Sequence, residues 1–349
     1  MYPYFILFTL SSLFAIFARA KSTHRALAVV FAVVLVIFVG TRYRVGCDYL
    51  GYSRRFSRLP EYESISEMFS AGETGFYLLS SMIRSAGMDY SILLLASGAI
   101  YVACLWRFSK VMDRPLGFLA VCFPVLIVQL GMSGIRQALA LGFLMLAMAC
   151  FVEKKRLGMA IWILVASQFH TSAIIFLPLV YLVGRQVSIT RMIAALVLLG
   201  PAVAWLIGDR LDVYSERYVE QIYGENSSSG AWVRYSMILL PFLLFEWRRR
   251  QVQEAFPTIY PLMRVFSLIT FAMVLAGVVS SVALHRLVYY AMPISILAFI
   301  CVARVMASRN GSRVIVALPF LMYGVYFVAW TQMSRHARLC YDPYQTWLF

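Results

Sequence analysis

Long apolar runs alternate with short polar breaks along almost the whole chain. A helix needs about 20 predominantly apolar residues to cross a bilayer. Runs approaching that size fall at 3–18, 26–40, 90–106, 115–132, 135–152, 157–168, 172–183, 192–208, 232–247, 262–281, 287–303 and 314–330. The pattern predicts an all-α polytopic membrane protein with about 11–12 transmembrane helices. The runs 157–168 and 172–183 are short for two crossings, and one long tilted or broken helix is the alternative. The segment 73–88 differs from the rest. Phe76, Leu79, Met82, Ile83 and Ala86 share one helical face, while Glu73, Tyr77, Ser80 and Arg84 share another. That is the pattern of an amphipathic helix lying at the membrane interface.

Composition sharpens this picture. Of 349 residues, 62% are hydrophobic and only 13% charged, against about 25% charged in soluble proteins. A soluble enzyme, a disordered tail and a disulfide scaffold are excluded, and 1–349 is read as a single integral membrane domain. The net charge of +15 is read through the positive-inside rule. It is not read as nucleic-acid binding, because no basic stretch alternates with polar recognition residues. The breaks holding Arg19, Lys21 and Arg25; Arg107, Lys110 and Arg114; Lys154, Lys155 and Arg156; Arg185 and Arg191; Arg248, Arg249, Arg250 and Arg264; and Arg304, Arg309 and Arg313 fall on one side. That side is assigned to the cytoplasm. Segments near 41–89, 209–231 and 331–349 then face outward. Residues 3–18 lack a signal-peptide n-region and cleavage site and are read as a retained first span.

Four cysteines, Cys104, Cys122, Cys150 and Cys301, lie in apolar runs and read as buried hydrophobes. Cys47 and Cys340 lie in polar segments. Their setting allows a pair, but no spacing signature supports one, and the reading is six thiols. With no Cys-x-x-Cys and no His-Glu-x-x-His, no metal site and no cofactor are expected.

The unusual polar residues gather at the outward ends of the spans. Arg42 and Arg44, with Asp48 four residues after the second, form a candidate phosphate site. Ser133 precedes Arg136 and Gln137 at the start of a span. A cation in a first helical turn opposes the helix dipole, and a bound anion there removes the conflict. The same argument applies to Arg286, which opens another span with Tyr290 close behind. His170 sits in the polar break Gln168–Ser172, where an imidazole suits a base or a hydrogen-bond donor. Glu73, the loop holding Tyr214, Arg217 and Tyr218, and the terminal Tyr341 and Tyr344 add carboxylates and aromatic faces that suit sugar rings.

The ordered set Arg42-x-x-x-Gly46-x-Asp48-Tyr49 with Tyr52 and Phe56, Glu73-Thr74-Gly75-Phe76, Gly134-Ile135-Arg136-Gln137-Ala138-Leu139-Ala140, Phe169-His170-Thr171-Ser172-Ala173, Arg286 with Tyr290, and Tyr341-x-Pro343-Tyr344 resembles the EpsG/Wzy-type polysaccharide polymerases. Cys47 departs from that pattern, where a small hydroxyl residue is common. The resemblance implies a GT-C-like, metal-independent glycosyltransferase of the bacterial inner membrane, with its site facing the periplasm. Its substrate would be an undecaprenyl-diphosphate-linked oligosaccharide, and a chain-length regulator is an implied partner besides membrane lipid. The growing glycan would pass to the non-reducing end of a new lipid-linked repeat, and the product would be O-antigen or exopolysaccharide. On this reading Arg136, Arg286 and Arg44 hold the diphosphate, with Arg42 a weaker fourth. His170 or Asp48 is the base, and Glu73 orients an arginine or the acceptor. Gln137, Tyr290, Arg217, Tyr341 and Tyr344 would contact substrate. Two rivals are an O-antigen ligase, which uses the same donor but usually has a larger periplasmic segment, and a lipid-linked oligosaccharide flippase. A transporter should show repeats and broken spans with midplane charges, and none is evident in the sequence.

Overall fold

The computed structural model describes residues 1–60, 67, 72–202, 229–277 and 281–348. The regular structure of the described residues is all helical, with no strand and one isolated bridge, Arg42 to Thr346. In chain order the helices are α1 (Tyr2–Phe17), α2 (Lys21–Gly40), α3 (Tyr49–Ser57), α4 (Thr74–Ser85), α5 (Tyr90–Ser109) and α6 (Pro115–Cys122). A π-helical segment (Phe123–Gly131) continues α6. Then come α7 (Ile135–Val152), α8 (Arg156–Ser167) and a 3₁₀ segment (Thr171–Leu182). They are followed by α9 (Ile189–Ala202), α10 (Ser229–Trp247), α11 (Arg249–Ala255), α12 (Tyr260–Gly277) and α13 (Ser281–Asn310). A short 3₁₀ turn (Arg313–Ala317), α14 (Leu318–Met333) and α15 (Arg335–Tyr341) end the chain.

Among the described residues, five stretches are long and apolar enough to cross a membrane: Lys21–Gly40, Tyr90–Ser109, Ile135–Val152, Leu287–Arg309 and Val314–Met333. Six shorter apolar helices accompany them. The protein is an all-α, multi-pass membrane protein. Its elements follow the expected runs closely, and 156–182 is two elements rather than one broken helix. The helix expected over 73–88 is α4, whose 12 residues span only about 18 Å at 1.5 Å per residue. It is too short to cross about 30 Å of hydrocarbon. Its faces differ from the expected ones, because Thr74, Ser80 and Ile83 are buried while Met82 and Leu78 are exposed. The Ser80 hydroxyl donates to the Phe76 carbonyl at 2.8 Å, which makes its burial tolerable.

Two compact units divide the chain. The first comprises Met1–Leu146, Ile161–Ala173 and Phe320–Phe349. Its helix α2 shows how lipid and protein share a helix. Ala28, Phe31, Leu35 and Phe38 are buried, while Val30, Val33 and Ile37 are about half exposed. In water that stripe would be an unstable apolar patch, whereas in lipid it is solvated. Gly40 and Gly98 let α2 and α5 approach closely. A Cβ on Gly98 would stand 3.2 Å from the Gly40 Cα, and one on Gly40 would stand 2.9 Å from the Leu95 Cα. Pro124 has no N–H, so the α ladder fails where the π segment begins. Two tyrosines satisfy carbonyls of that segment. Tyr101 donates to Leu126 at 2.9 Å and Tyr341 to Gln129 at 3.2 Å.

Polar contacts sort the ends of this unit. Lys21 pairs with Asp113, and Arg114 donates to the Arg19 carbonyl at 3.1 Å. The starts of α2 and α6 and the end of α5 therefore lie together, as the charge pattern predicts. The opposite ends of α2 and α5 meet where Tyr49 packs edge-on against Tyr90 at 5.3 Å. The segment 41–48 thus sits at the end opposite the basic breaks.

The second unit comprises Ala147–Ala160 and Ile174–Pro319. Phe176 stacks on Phe266 at 5.8 Å and meets Tyr290 edge-on at 5.5 Å. Ser295 of α13 donates to the Ile238 carbonyl of α10 at 3.1 Å. Glu246 gathers Arg264, Arg249 and the Ser267 hydroxyl.

Overpacking of the α2–α5 contact should be measurable. Gly40→Ala is expected to cost about 1–3 kcal/mol and to lower the melting temperature in detergent. Gly51→Ala, with open space around it, should leave that temperature unchanged.

Candidate functional site

The first unit builds its site from segments far apart in sequence. The C-terminal tail straps the loop after α2. Trp347 N–H donates to the Thr41 carbonyl at 3.0 Å, Tyr43 N–H to Gln345 at 2.9 Å and Gly46 N–H to Cys340 at 2.7 Å. Cys47 and Cys340 are joined by a disulfide, with Cα atoms 4.9 Å apart across 293 residues. This corrects the expectation of six thiols. Spacing carries no signal here, because the pairing is made by the fold. The remaining four cysteines form no disulfide.

Arg42, expected to bind substrate, is buried at 2% exposure. Its guanidinium donates to the Met132 and Val39 carbonyls. Burial pushes it below the ordinary arginine range, opposed by Tyr90 and Tyr341 nearby. Its geometry ties the loop to the end of the π segment. Arg44 behaves differently. It is exposed, adopts a left-handed backbone (φ 54) and lies 5.2 Å from the Tyr43 ring centroid. Gly46 makes the close approach between them possible. Its φ is +100, and a Cβ there would stand 2.0 Å from the Met132 carbonyl oxygen.

Asp48 is exposed, and its backbone N–H donates to the Ser133 hydroxyl at 3.3 Å. Ser133 therefore receives the 41–48 loop as well as preceding α7. Arg136 is the second residue of α7, in the first turn as expected. The anion that relieves its conflict with the dipole is within the protein. Glu73 forms an ion pair with Arg136 Nη1, and Nε donates to the Tyr52 hydroxyl at 3.2 Å. Both charged groups are mostly buried, at 29% and 21% exposure. Glu73 adopts a left-handed backbone (φ 55) just before α4, a costly conformation for a residue with a side chain. Two of the five N–H donors of Arg136 are used by these bonds.

The turn after Glu73 docks on the polar break before the 3₁₀ segment. Gly75 N–H donates to the Gln168 carbonyl at 2.9 Å, and a Cβ on Gly75 would stand 3.0 Å from both Gln168 and Phe169. Phe169 is held at 5.0 Å from Phe143 of α7. His170 is buried at 9% exposure, with the Ser172 hydroxyl 3.2 Å from Nδ1. Gln137 is half-buried one residue beyond Arg136. Thus Asp48, Glu73, Arg136 and the 168–172 break belong to one connected network.

Other expected residues fall elsewhere. Tyr341 is buried, its hydroxyl on Gln129 and its carbonyl receiving Tyr4 at 3.0 Å. Tyr344 stacks on Phe38 at 4.5 Å and donates to the Phe38 carbonyl at 2.8 Å. Both anchor the tail. Tyr290 is buried in the second unit. Arg286 also belongs to that unit, and α13 begins at Ser281. Residue 286 therefore lies beyond the first turn, and the dipole argument does not apply to it. Arg217 lies outside the described residues. Tyr52 and Ser133 emerge as network members. Tyr52 stands four residues after Asp48 around the start of α3, a helical spacing that could have revealed it.

Gly46→Ala is expected to abolish recovery of folded protein, read from the size-exclusion profile in detergent. Gly87→Ala shares a positive φ but has open space, so it should retain a normal profile.

No curated protein and no solved structure matches the chain. The model of the EpsG family matches residues 25–346, a range that holds every segment of the network. The chain belongs to the EpsG family, and with it to membrane proteins of polysaccharide-polymerase type.

Proposed function

We propose that this protein polymerises lipid-linked oligosaccharide repeats at the periplasmic face of the bacterial inner membrane. The observation that carries the reading is the Arg136–Glu73–Tyr52 contact, tied through Ser133 to Asp48 and through Gly75 to the Gln168–Ser172 break. Several family motifs, spread between Asp48 and Ser172, meet there.

The donor in this reading is a growing glycan on undecaprenyl diphosphate. Arg136 and the exposed Arg44 neutralise the diphosphate, which makes it a better leaving group. Glu73 and Tyr52 hold the Arg136 fork in one orientation before substrate arrives. The hydroxyl at the non-reducing end of a new repeat attacks the donor's anomeric carbon. The C–O bond to the diphosphate breaks, the glycosidic bond forms, and His170 or Asp48 takes the hydroxyl proton. Arginine charge then does what a divalent metal does in other phosphate sites. The outward placement is supported by the Cys47–Cys340 disulfide, since such bonds persist in oxidising compartments. It is supported also by the separation of 41–48 from the basic end of the first unit. Arg286 is the second unit's candidate for a role in binding, carried by the family motif alone.

The test is complementation of a deletion strain, with surface polysaccharide run on a gel. Wild type should restore the polymer ladder, and the deletion should leave core plus a single repeat. Arg136→Lys should restore less than about a tenth of the polymer, because a point charge does not replace a bidentate fork. A full ladder from Arg136→Ala at normal expression would overturn the assignment. Loss of all repeats from the core, with lipid-linked polymer accumulating, would point to a ligase.

A further inference from the structure

In the loop 42–48, Arg42, Val45 and Gly46 are packed against the core, while the residues that carry the candidate chemistry stand outside that packing. Arg44 and Asp48 are exposed, and so is Cys47. The tail beside it is fixed in the opposite way. Tyr341 and Tyr344 reach Gln129 and Phe38, and Tyr4 bonds the Tyr341 carbonyl. The disulfide joins this anchored tail to the residue between Gly46 and Asp48. Asp48 in turn touches Ser133, three residues before Arg136. The bond therefore lies between the core anchor and the proposed binding groups.

We propose that Cys47–Cys340 is a redox-sensitive positioning clasp, so that the protein becomes competent only after these two thiols are oxidised. The inference rests on the proposed polymerase reading for its consequence, not for its chemistry. Closing the clasp removes two electrons and two protons from the thiols. The acceptor is the disulfide of a thiol–disulfide oxidoreductase, which leaves as a dithiol after a mixed disulfide. Reduction loosens the exposed stretch around Cys47 and Asp48 but leaves the tail's tyrosine anchors and the Arg42 and Gly46 bonds in place. The effect is local and reversible.

The test uses the full chain in membranes of its own host, which hold the native lipid-linked repeats. Membranes are treated with tris(2-carboxyethyl)phosphine and then reoxidised with diamide, and polymer formation is read on a gel. A maleimide–polyethylene glycol gel shift reports the thiol state, and the rate of trypsin cleavage after Arg44 reports the loop. Reduction should lower polymer formation at least about tenfold, since small misplacements of binding groups are costly. It should speed cleavage after Arg44, leave the melting temperature within a few degrees, and reverse on reoxidation. Cys47→Ser/Cys340→Ser should be poorly active and insensitive to reductant. Undiminished polymer from the reduced protein overturns the proposal. A maleimide gel shift before reduction larger than that of Cys47→Ser/Cys340→Ser, or loss that is irreversible and accompanied by melting, also overturns it. If oxidised wild type makes no polymer, the polymerase reading fails, and the trypsin readout still decides the clasp.

Discussion

In hydrocarbon every peptide N–H and C=O must find its partner within the protein. That constraint places each element of this structure. It forces the apolar runs into helices, and it makes every irregularity depend on a named partner. The π segment from Phe123 to Gly131 is the clearest case. Its Leu126 and Gln129 carbonyls are taken by Tyr101 and Tyr341. Arg42 caps the Val39 and Met132 carbonyls at the same end of the unit. The proposed chemistry begins where this accounting ends, at α7's first turn, with Arg136 paired to Glu73.

The site is therefore supported from beneath by groups that resemble binding residues in sequence. Arg42, Tyr341 and Tyr344 all belong to family motifs, yet each is spent on backbone carbonyls. Arg44, Asp48 and Arg136 remain with solvent access. A motif residue buried on a carbonyl holds the scaffold, and one that is exposed or has unspent donors is available to a ligand. Gly46 links the two sets, since only a residue without Cβ fits against Met132.

Much of the fold was legible because the membrane imposes a coarse code. Run length predicted where the apolar helices of the described residues lie, and Lys/Arg placement put the ends that carry Lys21 and Asp113 together. Helix α13 begins at Ser281, ahead of the apolar run at 287–303, because a helix can extend beyond the apolar stretch by which a span is read. The faces of α4 were misread because Ser80 satisfies its hydroxyl on its own helix and so can be buried. The Cys47–Cys340 bond was illegible because two residues so far apart meet only through the tail's hydrogen bonds to Thr41, Tyr43 and Gly46. The conflict between Arg136 and the helix dipole was visible in sequence. Glu73 was read as orienting an arginine or the acceptor, but that Arg136 is its partner was not legible, because periodicity within each helix says nothing about which helix starts meet.

The central claim is that Arg136 and Glu73 act as one unit. A double-mutant cycle tests it most directly, with polymer formation measured in wild type, Arg136→Gln, Glu73→Gln and the double variant. The account predicts that each single change costs most of the rate and that the double variant is no worse than Arg136→Gln alone. Losses that multiply independently, or a Glu73→Gln variant with wild-type rate, would contradict it.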